Sequence, residues 1–574
     1  MMKTFAQLKK SLKKDFSGFK PLKIALLGDS TISLMAQALK ATGYDYKLHL
    51  QILETDFNQV ERQVFDNSSE LYAFEPEVVI IFQSSHKLLS KYNKSSVEDY
   101  SHLATNELDL IQNLYTAIES RLNAHVIYYN YAEINDAVFG NFANKHEASF
   151  LFQLRKLNYE LMVFASGHSN FHICDLSAVQ NQAGKVVLFH PSIYITTEMV
   201  LSLDILPEVA ARTVDIISAI TGKFKKCIIL DLDNTLWGGI IGDDGVDKIQ
   251  IGSLGIGKAF TEFQYWIKKL KNRGIIIAVC SKNTESVARE PFEKHPDMVL
   301  HLEDISVFMA NWDNKADNIR QIQQVLNIGF DSMVFVDDNP FERNLVRENI
   351  PELTVPELPE DPSEYLEYLY SLNLFETTSF SKEDLERTAL YQTEAKRNLL
   401  KQSVTNEGDF LKSLNMLSLV ESFNNYNIPR VAQLSQRSNQ FNLRTVRYSE
   451  ENLQAMTQDQ RYLTFSFNLD DKFGSNGIIC AVVLKQEDET TAFIETWFMS
   501  CRVLKRGMEA FVLNTIVEAA RERGFSYLKG EFIPTAKNEM VKNHYLELGF
   551  EQAGDYWVLD VKPYRQTETY IKQK

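Results

Sequence analysis

The sequence predicts an α/β protein of three domains, and three observations carry that expectation. From residue 23 to about 338, apolar runs of strand length alternate with amphipathic helical stretches, the pattern of parallel sheets. After about residue 416 the strand-like runs lengthen and follow one another directly, as in YLTFSFNLDDKFGSNGIICAVVLKQ, which fits a mainly antiparallel sheet. At 574 residues the chain is also too long for a single core. The expected boundaries are 1–220 and 221–362 for two α/β domains, 363–415 for a helical connector, and 416–574 for a mixed α+β domain.

In the first domain KIALLGDS reads as a buried strand running into a turn, followed by the helical TISLMAQALKATG. The runs EVVIIFQSS, HVIYYNYA and NFHICDL are further strands, separated by helices such as LDLIQNLYTAIESRL. Ahead of them, MMKTFAQLKKSLKKDF reads as a basic amphipathic helix with Phe5, Leu8 and Leu12 on one side, without the apolar core of a signal peptide. The second domain opens on the strand KCIILDLD. It continues through the helix GKAFTEFQYWIKKLKNRG, the strand IIIAVCSKN, the helix TESVAREPFEKH and the short strand MVLHL, then the helix NKADNIRQIQQVLNIG and the strand SMVFVDDN. Proline and acidic residues in NIPELTVPELPEDPSEY close it. The third domain runs through LSLVESFN, TTAFIETWFMS, a long helix, YLKGEFIP and YWVLDV.

Composition excludes several classes. A net charge of −16 argues against general nucleic-acid binding, which needs cations against phosphates. No stretch approaches the roughly 20 apolar residues needed to span a bilayer, so no membrane span is expected. The five cysteines, Cys174, Cys227, Cys280, Cys480 and Cys501, form no CxxC pair. A reducing compartment fits best, and the expected location is cytoplasmic.

The chemistry begins at CIILDLDNTLWGGIIGDDG, residues 227–245, where a buried strand ends in two carboxylates. Repulsion between like charges does not stabilise a fold, so a cation and a phosphate are expected there. The carboxyl ends of parallel strands are where ligands of such sheets collect. Carboxylates there suit Mg²⁺, a hard cation that prefers oxygen. Four separated motifs follow in order: Asp231–Thr235, Ser281 at a strand end, Lys315 beside a helix start, and Asp337 with Asp338 after another apolar strand.

That set resembles the haloacid dehalogenase (HAD) superfamily. The strings LDLDNTLWGGIIGDDG, CSKN, NWDNKADNI and VDDNPFERNLVR resemble its FkbH-like branch, subfamily IIIC, as do RSNQFNLRTVRYSE and DKFGSNGIICAVVL further on. The resemblance implies a HAD-like Rossmannoid parallel sheet without a large cap. It assigns Asp231 as nucleophile through an aspartyl-phosphate and Asp233 as general acid and then base. Ser281 and Lys315 would stabilise the phosphoryl oxygens, and Mg²⁺ would be held by Asp231, Asp233 through its main-chain carbonyl, and Asp337. Asp338 is a further ligand or an outer support, while Thr235 and Asn283 are assigned to substrate binding.

Membership also implies action on 1,3-bisphosphoglycerate, with the glyceryl group delivered to the phosphopantetheine thiol of an acyl carrier protein. The alternatives are a plain phosphatase of a small phosphorylated metabolite, or a carrier-binding scaffold with a vestigial site. Cys280, next to Ser281, is a candidate to carry a glyceryl thioester, since a cation beside a thiol lowers its pKa. Strand alternation could equally turn it into the core.

Both flanking domains have resemblances of their own. LLGDS resembles the first block of the SGNH hydrolases, within a flavodoxin-like α/β domain, and makes Ser30 a candidate nucleophile. The remaining blocks are thin: FQSSH and CDLSAVQ stand where a GxN and a DxxH are expected, and His172 and His190 lack the right spacing. An inactive docking domain is the other reading. The C-terminal domain resembles the GNAT acyltransferases, with LKRGME in place of their pyrophosphate turn. Arg502 and Gly507 are candidate groups for a pantetheine arm, and Tyr545 could protonate a thiolate or pack in the sheet.

Overall fold

A computed structural model describes residues 3–380, 384, 390, 391, 393, 397, 406–500, 503–535 and 537–574. The chain divides into two compact units, Met1–Ile220 and Thr221–Lys574.

The first unit is built on β1 (Pro21–Gly28), β2 (His49–Glu54), β3 (Val78–Phe82), β4 (His125–Tyr129) and β5 (Phe171–Cys174). They form one parallel sheet in the order β2-β1-β3-β4-β5. Every residue of β3 is buried, as expected where helices cover both faces and alternation has no use. The amphipathic N-terminal stretch forms the helix Phe5–Ser11, started by a Thr4–Gln7 capping box and packed on the helix Ser33–Asp45. Because β1 leads to β2 on one side and has β3 on the other, the strand order reverses at the carboxyl ends of β1 and β3.

The second unit holds two sheets. β6 (Cys227–Leu230), β7 (Ile276–Ser281), β8 (Ile305–Ala310) and β9 (Met333–Val336) are all parallel, in the order β8-β7-β6-β9. The register aligns Leu230 with both Val279 and Val336, so Asp231 and Asp337 emerge side by side, with Ser281 one residue further along β7. No large cap interrupts the first crossover: between β6 and the helix Gly257–Asn272 stands the one-turn helix Ile241–Asp244. The sequence placed a strand at MVLHL, and the structure corrects that. Gln264 accepts from the amides of Val299 and Leu300 at 3.1 Å each, so their hydrogen bonds go to a side chain, and the ladder forms at β8 instead. The helix Tyr365–Leu372 then packs back on Gly257–Asn272 through Tyr365 and Phe263.

The remaining strands are β10 (Met416–Ser418), β11 (Val420–Glu421), β12 (Tyr462–Asp471), β13 (Gly474–Gln486) and β14 (Thr491–Met499), followed by β15 (Tyr527–Glu531), β16 (Glu551–Ala553), β17 (Tyr556–Asp560) and β18 (Ile571–Gln573). They form a mixed sheet, antiparallel from β10 through β14 and parallel at β14–β15 and β10–β18. β14 and β15 pair only over Thr491–Phe493 and Tyr527–Lys529. Where they part, the chain inserts its own segment Phe441–Leu443. Leu443 N donates to Trp497 O at 3.1 Å, Met499 N to Phe441 O at 3.0 Å, and Ile533 N to Leu443 O at 2.8 Å. Arg444 ties Glu531, at 2.8 Å, to Glu495, at 3.1 Å.

Gly530, in β15, lies under the ring of Tyr545, where an added Cβ would meet Cζ at 2.4 Å. Tyr545 is itself buried against Phe550 and Trp557. Gly530→Ala is therefore expected to destabilise the second unit by about 1–3 kcal/mol, the usual cost of overpacking. Urea unfolding followed by tryptophan fluorescence checks this.

Candidate active site

Four strand-end or helix-start residues meet at the carboxyl end of β6, β7 and β9. Asp231 follows β6 and donates its amide to Val336 O at 3.0 Å, which fixes its backbone beside β9. Lys315 opens the helix Lys315–Leu326, whose start is capped by Asn314. Its side chain is 3% exposed, and its Nζ lies 3.0 Å from Asp231 Oδ1 and 2.6 Å from Asp337 Oδ2. One carboxylate oxygen each from Asp231, Asp337 and Asp338 lies within 4.8 Å of the others.

Asp233 sits differently. Its Oδ1 accepts from Trp237 Nε1 at 2.9 Å and from the Ile241 amide at 3.0 Å, and its Oδ2 accepts from Asn283 Nδ2 at 3.1 Å. Its carboxylate is therefore outside the three-carboxylate cluster. The backbone can turn this tightly because Asn234 adopts a left-handed conformation, φ 54°, and its side chain accepts from Gly239 N at 2.9 Å.

Charge and burial set the acidities. Burial first, and then the nearby Asp231, raises Asp337 above the usual carboxylate range and lifts Asp338 to about 6. Burial also raises Asp233. Burial alone would lower Lys315, but Asp231 and Asp337 more than reverse this and hold it protonated.

The two residues assigned to substrate contact lie against the site's acidic residues. Thr235 is fully buried, and its Oγ1 accepts from the Asp338 amide at 3.2 Å. Asn283 is 5% exposed with its amide turned to Asp233. Cys280 lies on the core side of its strand, the second of its two readings. It is 0% exposed in the core cluster with Ile229, Ala278 and Phe335, because alternation along β7 sends it to the face opposite Ser281. Its thiol donates to Lys315 O at 3.7 Å, and burial pushes its pKa up, away from a thiolate.

Sequence reasoning missed Arg343, Trp237 and Tyr365. Buried Arg343 donates from Nη1 to the carbonyls of Asp337, at 2.8 Å, and Asp338, at 2.6 Å, and so latches the acidic loop. Tyr365, from beyond the expected domain end, donates to Asn234 O at 3.2 Å. The strings FERNLVR and PSEY give no signal for these contacts, since each depends on tertiary placement.

The flanking candidates do not assemble comparable sites. Ser30 is buried, and among the described residues no histidine ring hydrogen-bonds to it, so the nucleophile reading lacks its base. His86 packs on Phe189 and Tyr194, and burial lowers it to about 4. His172 stacks on His125, and burial lowers it far more. His190 meets Ser192 at 3.0 Å. Asp175 caps the helix Leu176–Ala183, accepting from Ala178 N at 3.0 Å. Near the start of the helix Met508–Glu522, Glu509 Oε1 accepts from Lys505 N at 3.4 Å, so a carboxylate occupies the turn that a diphosphate would need. Gly507 holds φ 79° at its N-cap. Arg502 lies outside the described residues. Tyr545 is a core ring, and burial raises its phenol.

The comparisons with known proteins agree with the central site. A family profile described as FkbH, N-terminal domain, matches residues 23–218. Among solved structures, the N-terminal part of a Bacteroides fragilis protein, containing a phosphatase domain and complexed with Mg, is 57% identical with a TM-score of 0.64. That match covers 66% of this chain and 100% of that one. The chain belongs to the FkbH-like family. This FkbH-like chain accordingly carries a HAD-type phosphatase domain. A ribosomal-protein-S18-alanine N-acetyltransferase from Escherichia coli is 18% identical, with a TM-score of 0.21 over 25% of this chain and 94% of that one. A spermidine N-acetyltransferase from Vibrio cholerae is 12% identical, with the same score, over 25% and 96%. Likenesses at that level say nothing of acetyl transfer. No curated protein sequence matches the chain. No helix among the described residues is long and apolar enough to cross a membrane.

Because Cys280 faces the core, Cys280→Ala in this FkbH-like chain should keep phosphate release from a generic aryl phosphate within about twofold. It should cost about 1 kcal/mol of stability for the small cavity left. A loss of activity far beyond that would return the thiol to the chemistry.

Proposed function

We propose that this protein is an Mg²⁺-dependent phosphatase and glyceryl transferase that loads a carrier protein from 1,3-bisphosphoglycerate. The observation that carries the phosphatase half is the convergence of Asp231, Asp337 and Asp338 around one small volume beside Lys315. Three carboxyl groups with a single adjacent ammonium suit a hard divalent cation, and the solved relative is complexed with Mg. When bound, Mg²⁺ neutralises the phosphate so that a carboxylate can approach phosphorus.

The residues then divide the work. Attack on the acyl phosphate's phosphorus would leave a free carboxylate and lose the activated acyl group, so Asp231 attacks the phosphate ester at the other end. Its oxygen bonds to phosphorus, and the P–O bond to carbon 3 breaks. Asp233 gives its proton to the departing alkoxide, then takes one from the water that hydrolyses the aspartyl-phosphate. Two donors hold Asp233 Oδ1, leaving Oδ2, held by Asn283, as the oxygen that carries the proton. Lys315, with Ser281 at the end of β7, offsets charge on the phosphoryl oxygens. The acyl step is separate. The carrier's thiolate attacks the carbon-1 carbonyl, the C–O bond to phosphate breaks, and inorganic phosphate leaves. On this reading 221–362 is the catalytic domain, 363–415 the connector, and 1–220 and 416–574 the domains that receive the carrier. The absence of a large cap leaves room for so bulky an acceptor.

Intact-protein mass spectrometry tests this directly. With 1,3-bisphosphoglycerate, Mg²⁺ and phosphopantetheinylated carriers, a glyceryl-sized gain on the carrier is expected, with two phosphates released per acyl group. Asp231→Asn should lower release of the ester phosphate by at least about a thousandfold. Phosphate release with no carrier gaining mass would leave a plain phosphatase.

Acidity gives a second expectation. Asp338 is held near 6, so below that pH a proton must leave before a cation binds. Because Asp337 is raised as well, Mg²⁺ affinity, followed by calorimetry, should therefore rise with pH through about 6 to 7 and level off above that range. A flat profile would count against both Asp337 and Asp338 as ligands that must lose a proton.

A further inference from the structure

The N-terminal segment carries a charge opposite to that of the whole chain. Its first 20 residues hold six lysines and one aspartate, in a protein whose net charge is −16. The segment is also anchored. A Thr4–Gln7 capping box starts the helix Phe5–Ser11, and Leu8 and Ser11 are buried as it packs on Ser33–Asp45. Hydrogen bonds carry the turn on through Lys14, whose amide donates to Ser11 O at 3.1 Å. Phe16 and Phe19 then close edge-on against Tyr44, with ring centres 4.9 and 5.5 Å away. The lysines are therefore held on a packed element.

Their spacing follows the helix. Leu8, Ser11 and Leu12 turn inward at intervals of three and four, so Lys9, Lys10, Lys13 and Lys14 fall on the outer side, and all four are exposed. Lys9 and Lys13, like Lys10 and Lys14, recur four residues apart, where like charges destabilise a helix. Carboxylates of the chain itself offset little of this. Lys3 pairs with Asp45 at 2.5 Å, and Lys14 lies over the Tyr44 ring at 4.6 Å. Among the described residues, Lys9, Lys10, Lys13, Lys14 and Lys20 form no ion pair with a carboxylate. Asp15, the one acid in the segment, accepts from Ser17 N and Oγ at 2.8 Å each. The grouping suits negative charge supplied from outside.

A lipid surface fits this patch poorly. An interfacial helix buries its apolar face among acyl chains, and here that face is already packed on Ser33–Asp45. A nucleic acid fits poorly as well, since the patch is a few lysines wide and the rest of the chain repels a long polyanion. A small folded protein with an acidic face meets the lysines alone, because charges beyond about 8 Å are screened at physiological salt. We infer that Lys9, Lys10, Lys13 and Lys14, with Lys20 after them, form a docking surface for an acidic protein, the carrier itself. Naming the carrier rests on the proposed transferase activity, and it narrows the receiving surface within 1–220 to one helix and the turn that follows it.

The test uses the full-length protein with Lys9, Lys10, Lys13 and Lys14 all replaced by glutamine, and an acidic phosphopantetheinylated acyl carrier protein as probe. Surface plasmon resonance should show binding at least about tenfold weaker in that variant. The unsubstituted protein should lose affinity as salt rises from about 50 to about 300 mM. Replacing the same four lysines by arginine keeps the charge and should keep the affinity within about twofold, which separates lost charge from lost folding. Phosphate release from an aryl phosphate should be unchanged in both variants. Carrier binding that the glutamine variant retains in full, or no carrier binding by the unsubstituted protein, overturns the inference. So does a glutamine variant that loses binding to phosphatidylserine vesicles or to an oligonucleotide while carrier binding stands. Lysine-dependent carrier binding without glyceryl transfer would uphold the docking surface and remove the transferase. Glyceryl transfer with an unchanged KM for the carrier in the glutamine variant would do the reverse.

Discussion

The ammonium of Lys315 stands between Asp231 and Asp337 at 3.0 and 2.6 Å, in a position that is 3% exposed. Three carboxylates within 4.8 Å cannot be explained as a packing solution. At an effective dielectric constant of about 20, two unit charges about 4 Å apart repel by about 4 kcal/mol. One buried lysine offsets part of that repulsion and leaves a local demand for positive charge. The sheet supplies the geometry: parallel strands in matched register deliver Asp231, Ser281 and Asp337 to one edge, and Arg343 holds the carbonyls of the Asp337–Asp338 turn.

The same constraint gives the acidic residues different surroundings. Asp233 is two residues from Asp231, but Trp237, Ile241 and Asn283 draw its carboxylate out of the cluster. Two neighbouring carboxylates thus meet different surroundings, one facing a lysine and two acids, the other held by three neutral donors. On the proposed mechanism, that asymmetry separates the nucleophile from the proton carrier, two groups that are chemically identical.

Much of this was legible in the sequence, because the informative signals were local. The runs CIIL, IIAVCS and MVFV are buried strands, and the polar residue that ends or directly follows each run emerges at the carboxyl edge. Cys280 shows where locality needs care, since the two-residue period places it and Ser281 on opposite faces. Other features depended on distance along the chain. Arg343 reaches back to the turn before its own helix, and Tyr365 reaches Asn234 from 131 residues away. The strand predicted at MVLHL failed because Gln264, on a different element, takes its amides.

The pairing of β18 with β10 has a consequence for how the chain is made. β18 lies parallel to β10, Met416 against Ile571, so one flank of the C-terminal sheet stays open until residues 571–573 are available. The five strands of the first unit all lie before residue 175, and their closing helix ends at Ile220. During synthesis that unit can therefore fold while the rest is still being translated. Until residues 571–573 pair with it, β10 is the outermost strand of that flank, and outer strands are the elements most open to mispairing with another chain.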